Sequence, residues 1–183
     1  MLMESGKAAL MVVDVQEKLL PAINDSEQLN ARIQWLISAC RTLNTPILFT
    51  EQYPRGLGHT VPALTALVEQ PQVVEKMHFS VVAANCLPEH WQGYPQIIVC
   101  GMETHVCVLQ TVLELVKAGK EVFVVADAVG SRTEQNRQLG LERMRDAGAQ
   151  IVSREMVIFE LMHQAGTEQF KTISKQFLRG EQP

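Results

Sequence analysis

Short, uninterrupted apolar runs alternate along this chain with longer stretches whose apolar residues recur every three or four positions. Ala8–Val13 is apolar throughout and reads as a buried strand. From Ser26 onward, Leu29, Ile33, Leu36, Ile37 and Cys40 share one side of a helix that Ser26 is placed to cap. Residues 46–50 predict a second strand, 51–58 a loop punctuated by Pro54, Gly56 and Gly58, and 61–68 a short helix. Gln72–Lys76 and 96–100 predict the third and fourth strands. A helix over 104–117 presents Val108, Val112, Leu115 and Val116, and residues 121–125 make a fifth strand. A helix over 133–147 turns Leu139, Leu141, Met144 and Ala147 inward, 150–153 is a sixth strand, and a helical tail runs over 167–178.

Strands that are apolar throughout and joined by helices imply a parallel sheet covered on both faces. The expected class is α/β: a doubly wound, mainly parallel, six-stranded sheet with helices on both faces, layered as in a Rossmann fold. No internal repeat or linker interrupts the 183 residues, so 1–183 reads as one domain. No G-x-G-x-x-G follows the first strand and no P-loop is present, so dinucleotide binding is not expected.

Composition narrows the field by exclusion. The net charge of −4 offers nothing to nucleic acid or an anionic membrane. With 46% hydrophobic and 20% charged residues the chain can bury a core. Its apolar runs fall far short of the roughly 18 residues a membrane span needs. Glu4 and Asp14 interrupt any leader-like start, which predicts a cytoplasmic protein. The four cysteines lack C-x-x-C spacing, so free thiols are expected rather than disulfides or structural zinc.

In open parallel sheets, ligands collect beyond the carboxyl ends of the strands, where the strand order reverses. Polar or reactive residues at those ends are Asp14 and Gln16, Glu51, Lys76, the segment from Gly101 to Cys107, and Asp127. Taken singly, each has an ordinary reading: Asp14 could pair with Lys18, Lys76 could be solvated, and Cys107 could be a small core residue. Taken together, a carboxylate, an ammonium and a thiol at the start of a helix supply the base, charge stabiliser and nucleophile of acyl transfer. The helix start is expected to lower the thiol pKa.

Three ordered segments, Val12-Val-Asp-Val-Gln16, Glu75-Lys-Met-His-Phe-Ser80 and Gly101-Met-Glu-Thr-His-Val-Cys-Val108, resemble the isochorismatase-like cysteine hydrolase superfamily over nearly the whole chain. Residues 50–58, Thr-Glu-Gln-Tyr-Pro-Arg-Gly-Leu-Gly, are most similar to its isochorismatase-domain-containing branch. The resemblance implies a catalytic triad of Asp14, Lys76 and Cys107. It also implies a cis peptide at Met102-Glu103, with the backbone amides of Glu103 and Cys107 forming an oxyanion hole. The flanking charges pull the thiol both ways, which leaves its acidity open. The side chain of Glu103 is expected to face outward, and Thr104 and His105 to open the helix. Gln16, Leu19, Tyr53, Phe79 and Thr104 are candidates for a small substrate pocket.

Two departures shape the expected chemistry. Nicotinamidases of this superfamily hold a divalent cation after the second strand, but here Glu51 and His59 lack a close third ligand, so no metal or cofactor is expected. Members that cleave the vinyl ether of isochorismate do not depend on a cysteine, whereas this chain carries Cys107. The expected activity is therefore hydrolysis of a small-molecule amide, carbamoyl or related acyl C–N bond through a thioester. The alternatives are vinyl-ether hydrolysis, a non-catalytic binding or assembly protein, or a thiol sensor, although Cys100 lies on a strand and no resolving C-x-x-C exists. The resemblance implies a homo-oligomer.

Overall fold

The first strand, β1 (Ala8–Val13), has all six residues buried. Ala8, Leu10 and Val12 join the core on one face of the sheet, while Ala9, Met11 and Val13 join the core on the other. An apolar run of period two thus serves two layers at once, which is why it shows no alternation. The computed structural model describes residues 1–179. Its sheet has β2 (Ile47–Gln52), β3 (Gln72–Lys76), β4 (Gln96–Met102), β5 (Glu121–Gly130) and β6 (Gln150–Val152) beside β1, in the order β3-β2-β1-β4-β5-β6. Every pairing is parallel.

That order creates the site. The chain moves from β1 outward through β2 to β3, then returns to lay β4 against the other side of β1. The reversal falls between β1 and β4. Helix α1 (Ser26–Thr42) covers one face. The single turns α2 (Pro54–Leu57) and α3 (Pro62–Thr65) follow β2. Helices α4 (Leu109–Lys117) and α5 (Glu134–Asp146) cover the opposite face. Helices α6 (Arg154–Met162) and α7 (Glu168–Ile173) return to the α1 side. At the reversal, Gly101 has φ +110, and a β carbon there would collide with the Val13 backbone, so only glycine lets β4 and β1 approach this closely.

Several expectations are corrected. β2 runs two residues past Thr50 and takes Glu51 and Gln52 out of the loop. β5 runs to Gly130, which puts Asp127 inside a strand; its carboxylate accepts from Arg154 N and Nε, both at 2.9 Å, at the start of α6. Helix α6 itself had no counterpart among the expected elements. Its buried residues Val157, Ile158, Leu161 and Met162 do follow a helical period, but the unbroken apolar run 156–159, with Met156 and Phe159 about half exposed, hides it. Ser26 is the first helical residue, not the cap; Asp25 precedes it with φ 51 and offers no side-chain cap. Leu139 points to solvent. Between the expected bounds 104 and 117, a wide π turn (Thr104–Val108) precedes α4.

Candidate active site

Strands β1, β2 and β3 bring polar residues together at their carboxyl ends, beside the reversal. Asp14 leaves β1 with φ 50, a left-handed conformation uncommon for a residue with a β carbon. Its Oδ2 accepts from Lys76 Nζ, at the end of β3, at 2.6 Å, and both side chains are closed to solvent. Its Oδ1 accepts from Thr50 Oγ1 at 2.6 Å. Lys76 Nζ also donates to Gln52 Oε1 at 2.9 Å, and Gln52 Nε2 donates onward to the Met77 carbonyl at 2.8 Å. A buried charge pair persists when the remaining polar atoms are satisfied in this way. Asp14 does not pair with Lys18, whose Nζ donates to the Gly56 carbonyl.

Cys107 enters from the other side of the reversal, on the π turn after β4, and is 5% exposed. Burial pushes its thiol far above the ordinary 9.0; the Asp14 carboxylate adds to this, Glu103 adds a little, and Lys76 alone opposes them. The opposed pulls that left the acidity open thus resolve upward: desolvation and the two carboxylates outweigh the lysine, and the acidic thiol that a helix start alone would favour is not what these surroundings give.

The Met102-Glu103 peptide is cis. Beyond it, the Glu103 carbonyl accepts from Val106 N at 3.0 Å and Val108 N at 3.2 Å, so the wide turn skips the Cys107 amide. The Glu103 side chain does not face outward: it is largely buried, and Oε2 accepts from Arg132 Nε at 2.9 Å. His105 Nδ1 meets Ser131 Oγ at 3.0 Å, tying the turn to the end of β5.

The pocket candidates separate. Gln16 is buried; its Nε2 donates to the Gln52 and Gly58 carbonyls and its Oε1 accepts from Gln52 N, so it braces the loop after β2. Leu19 packs against the α1-side core, away from the Cys107 cluster. Tyr53 and Phe79 are about half exposed and adjoin Pro54 and His78, which line a cleft of about 380 Å³ with Glu75, Lys76, Met77 and Ala84. Thr104 is fully buried, and its hydroxyl has no hydrogen-bond partner among the described residues. Glu51 and His59 do come together, at 3.0 Å, but the other Glu51 oxygen accepts from Thr60 N at 2.7 Å. Among the described residues no third His, Cys, Asp or Glu joins them, and the set does not fit a divalent cation.

Sequence reasoning missed Thr50, Gln52 and Arg132 as site residues. A signal existed for the first two: once β2 is carried to Gln52, residues 50 and 52 share a face, and Thr50 lies beside Val13 in register. Arg132 carried none.

The isochorismatase domain matches residues 8–156. The chain is 41% identical over 169 residues to isochorismatase domain-containing protein 2A of Mus musculus, covering 91% of this chain and 80% of that protein. It is 40% identical over 174 residues to the secreted isochorismatase effector Isc1 of Phytophthora sojae, covering 92% and 83%. Among solved structures, the MAR1 ribonuclease of Caenorhabditis elegans superposes with a TM-score of 0.91 at 35% identity, covering 100% of this chain and 95% of that one. YcaC of Pseudomonas aeruginosa, solved with covalent acrylamide, gives 0.85 at 28% identity, covering 97% and 92%. YcaC of Escherichia coli, described as an octameric hydrolase of unknown specificity, gives 0.86 at 25%, covering 97% and 91%. Among the described residues, no helix is long and apolar enough to cross a membrane.

Proposed function

The chain belongs to the isochorismatase family, and on that premise we propose that it is a small-molecule hydrolase in which Cys107 is the nucleophile, Asp14 the general base and acid, and Lys76 the cation that pairs with Asp14 and orients it. The observation that carries this reading is the meeting of Asp14 and Lys76 from separate strands, in a 2.6 Å ion pair closed to solvent, with the buried Cys107 thiol within the field of both charges. The covalent acrylamide on a neighbouring YcaC supports a nucleophile in this fold.

The substrate is an amide, carbamoyl or related acyl compound. Asp14 takes the thiol proton as sulfur attacks the carbonyl carbon, and the carbonyl oxygen becomes an oxyanion. The amides of Glu103 and Cys107 receive it; the Glu103 carbonyl takes its bonds from the Val106 and Val108 amides. Collapse expels the amine, which takes the proton from Asp14. A water then gives its proton to Asp14 and attacks the thioester, and the sulfur leaves as a thiol. Lys76 stays an ammonium throughout.

The ribonuclease name of the C. elegans neighbour belongs to that protein. The net charge of −4, and site cations that are each held by a carboxylate, favour a neutral carbonyl over a polyanion here. We further propose that the chain self-associates, in keeping with the octameric neighbour, and acts in the cytoplasm, in keeping with its free thiols and in contrast to the secreted Phytophthora relative.

Wild type and Cys107→Ala, incubated with a panel of primary amides, N-carbamoyl compounds and esters, test the reading. Wild type is expected to turn over at least one class and to show a thioester mass at Cys107, with the variant slower by about a thousandfold or more. Equal turnover by both proteins would remove Cys107 as nucleophile.

A further inference from the structure

We infer that Thr50 is a positioning residue of this site, whose hydroxyl and carbonyl fix the Asp14 carboxylate in place beside Lys76. The inference deepens the hydrolase reading and rests on it.

The geometry is reciprocal. The Asp14 amide donates to the Thr50 carbonyl at 3.1 Å and to Thr50 Oγ1 at 3.3 Å, while Oγ1 donates back to Asp14 Oδ1 at 2.6 Å. One threonine therefore holds both the backbone and the side chain of a residue whose left-handed φ of 50 would not be chosen by the local chain alone. Thr50 is fully buried, so no water replaces the hydroxyl without rearrangement.

The two donors on Asp14 do different work. Lys76 occupies Oδ2 and supplies charge, but its Nζ is also bonded to Gln52, which ties its position to β2. Thr50 adds no charge. It donates its single proton to Oδ1, which fixes the turn of the carboxylate about its side chain and leaves proton acceptance to the lone pairs that remain. When Asp14 takes the thiol proton, the Cys107 S–H bond breaks and a carboxyl O–H forms; the Thr50 hydroxyl keeps its proton and turns as the carboxyl becomes a donor.

The test follows the rate of acrylamide addition to Cys107, located by peptide mass, in wild type, Thr50→Val, Thr50→Ala and Thr50→Ser, with melting temperatures taken in parallel. This readout needs no knowledge of the substrate. Thr50→Val keeps the branched shape and loses only the hydroxyl; its rate is expected to be about tenfold lower. Thr50→Ala, which introduces no bulk, is expected to show the same loss if the valine variant does not fold. Thr50→Ser is expected to restore the wild-type rate. An unchanged rate in valine or alanine variants that melt lower than wild type would make Thr50 merely structural, and a serine variant that behaves like valine would exclude the hydroxyl; either overturns the inference alone. Failure of wild type to form any adduct at Cys107 would overturn the hydrolase reading beneath it.

Discussion

The rim above the sheet has two unlike halves. On the β1–β3 side, Asp14, Thr50, Gln52 and Lys76 form a network closed to water, and the Lys76–Asp14 pair has no exposed side-chain surface. On the β4–β5 side, Arg132 holds Glu103 at nearly the same distance, 2.9 against 2.6 Å, yet the arginine side chain is 59% exposed and the glutamate 10%. Distance alone would call these equivalent. Burial separates them: the first pair has lost its hydration and recovers it only through full partnering, while the second keeps solvent at one end and is screened by salt. The dry half is suited to hold charge in place, and the cleft lined by Pro54, Glu75, Lys76, Met77, His78 and Ala84 lies at its β3 edge.

The sharpest way to break this contrast is Lys76→Met. Removing one partner leaves the Asp14 carboxylate uncompensated in a site without water, at a cost of about 3–5 kcal/mol. For a chain of this length that lowers Tm by roughly 10 °C, and turnover is lost as well. Lys76→Met combined with Asp14→Leu removes both charges and is expected to recover much of the Tm while remaining inactive. Calorimetry of the two variants checks this; a single variant that loses less than about 1 kcal/mol would show that the two halves are alike.

Asp14→Asn examines how one half acts on the other. The Asp14 carboxylate raises the Cys107 thiol, after burial, and Lys76 lowers it. Removing the negative charge therefore makes the thiolate easier to form, and the alkaline limb of Cys107 alkylation is expected to move down by about one pH unit. In Lys76→Met it moves up. The variants should separate in opposite directions while Asp14→Asn loses general-base catalysis; a common direction would mean that burial alone governs the thiol.

The same contrast explains what could be read from sequence. β1 and β4 were legible because fully buried parallel strands are continuous apolar runs, whereas the strand order that puts the reversal between them was not written in either run. Cys107, Asp14 and Lys76 stood out because reactive side chains at strand ends are few. Thr50 and Gln52 did not, because a threonine in a strand is ordinary and a glutamine two residues before a proline reads as a loop; only pairing with β1 and β3 reveals their partners. The acidity of the thiol was illegible for a related reason. A helix start is written in the sequence, whereas the desolvation that outweighs it comes from elements brought together by the fold. Asp127 looked like a strand-end residue until the strand proved longer and Arg154 claimed it.

Arg132→Ala is the mildest change and the most discriminating at the wetter end. The guanidinium lost is mostly hydrated already, so its removal forgoes a screened interaction; the Glu103 carboxylate, though largely covered, has a solvent-facing neighbourhood toward which it can turn. The expected cost is about 0.5–1 kcal/mol, shrinking further in about 1 M salt where the screening length falls to about 3 Å. Chemical denaturation in urea at low and high salt measures both quantities. The thiol should hardly respond, since Glu103 ranks last among its influences and Arg132 is not among them. A loss above about 3 kcal/mol, insensitive to salt, would place Glu103–Arg132 with Lys76–Asp14 and make the wetter half of the rim a second buried charge network.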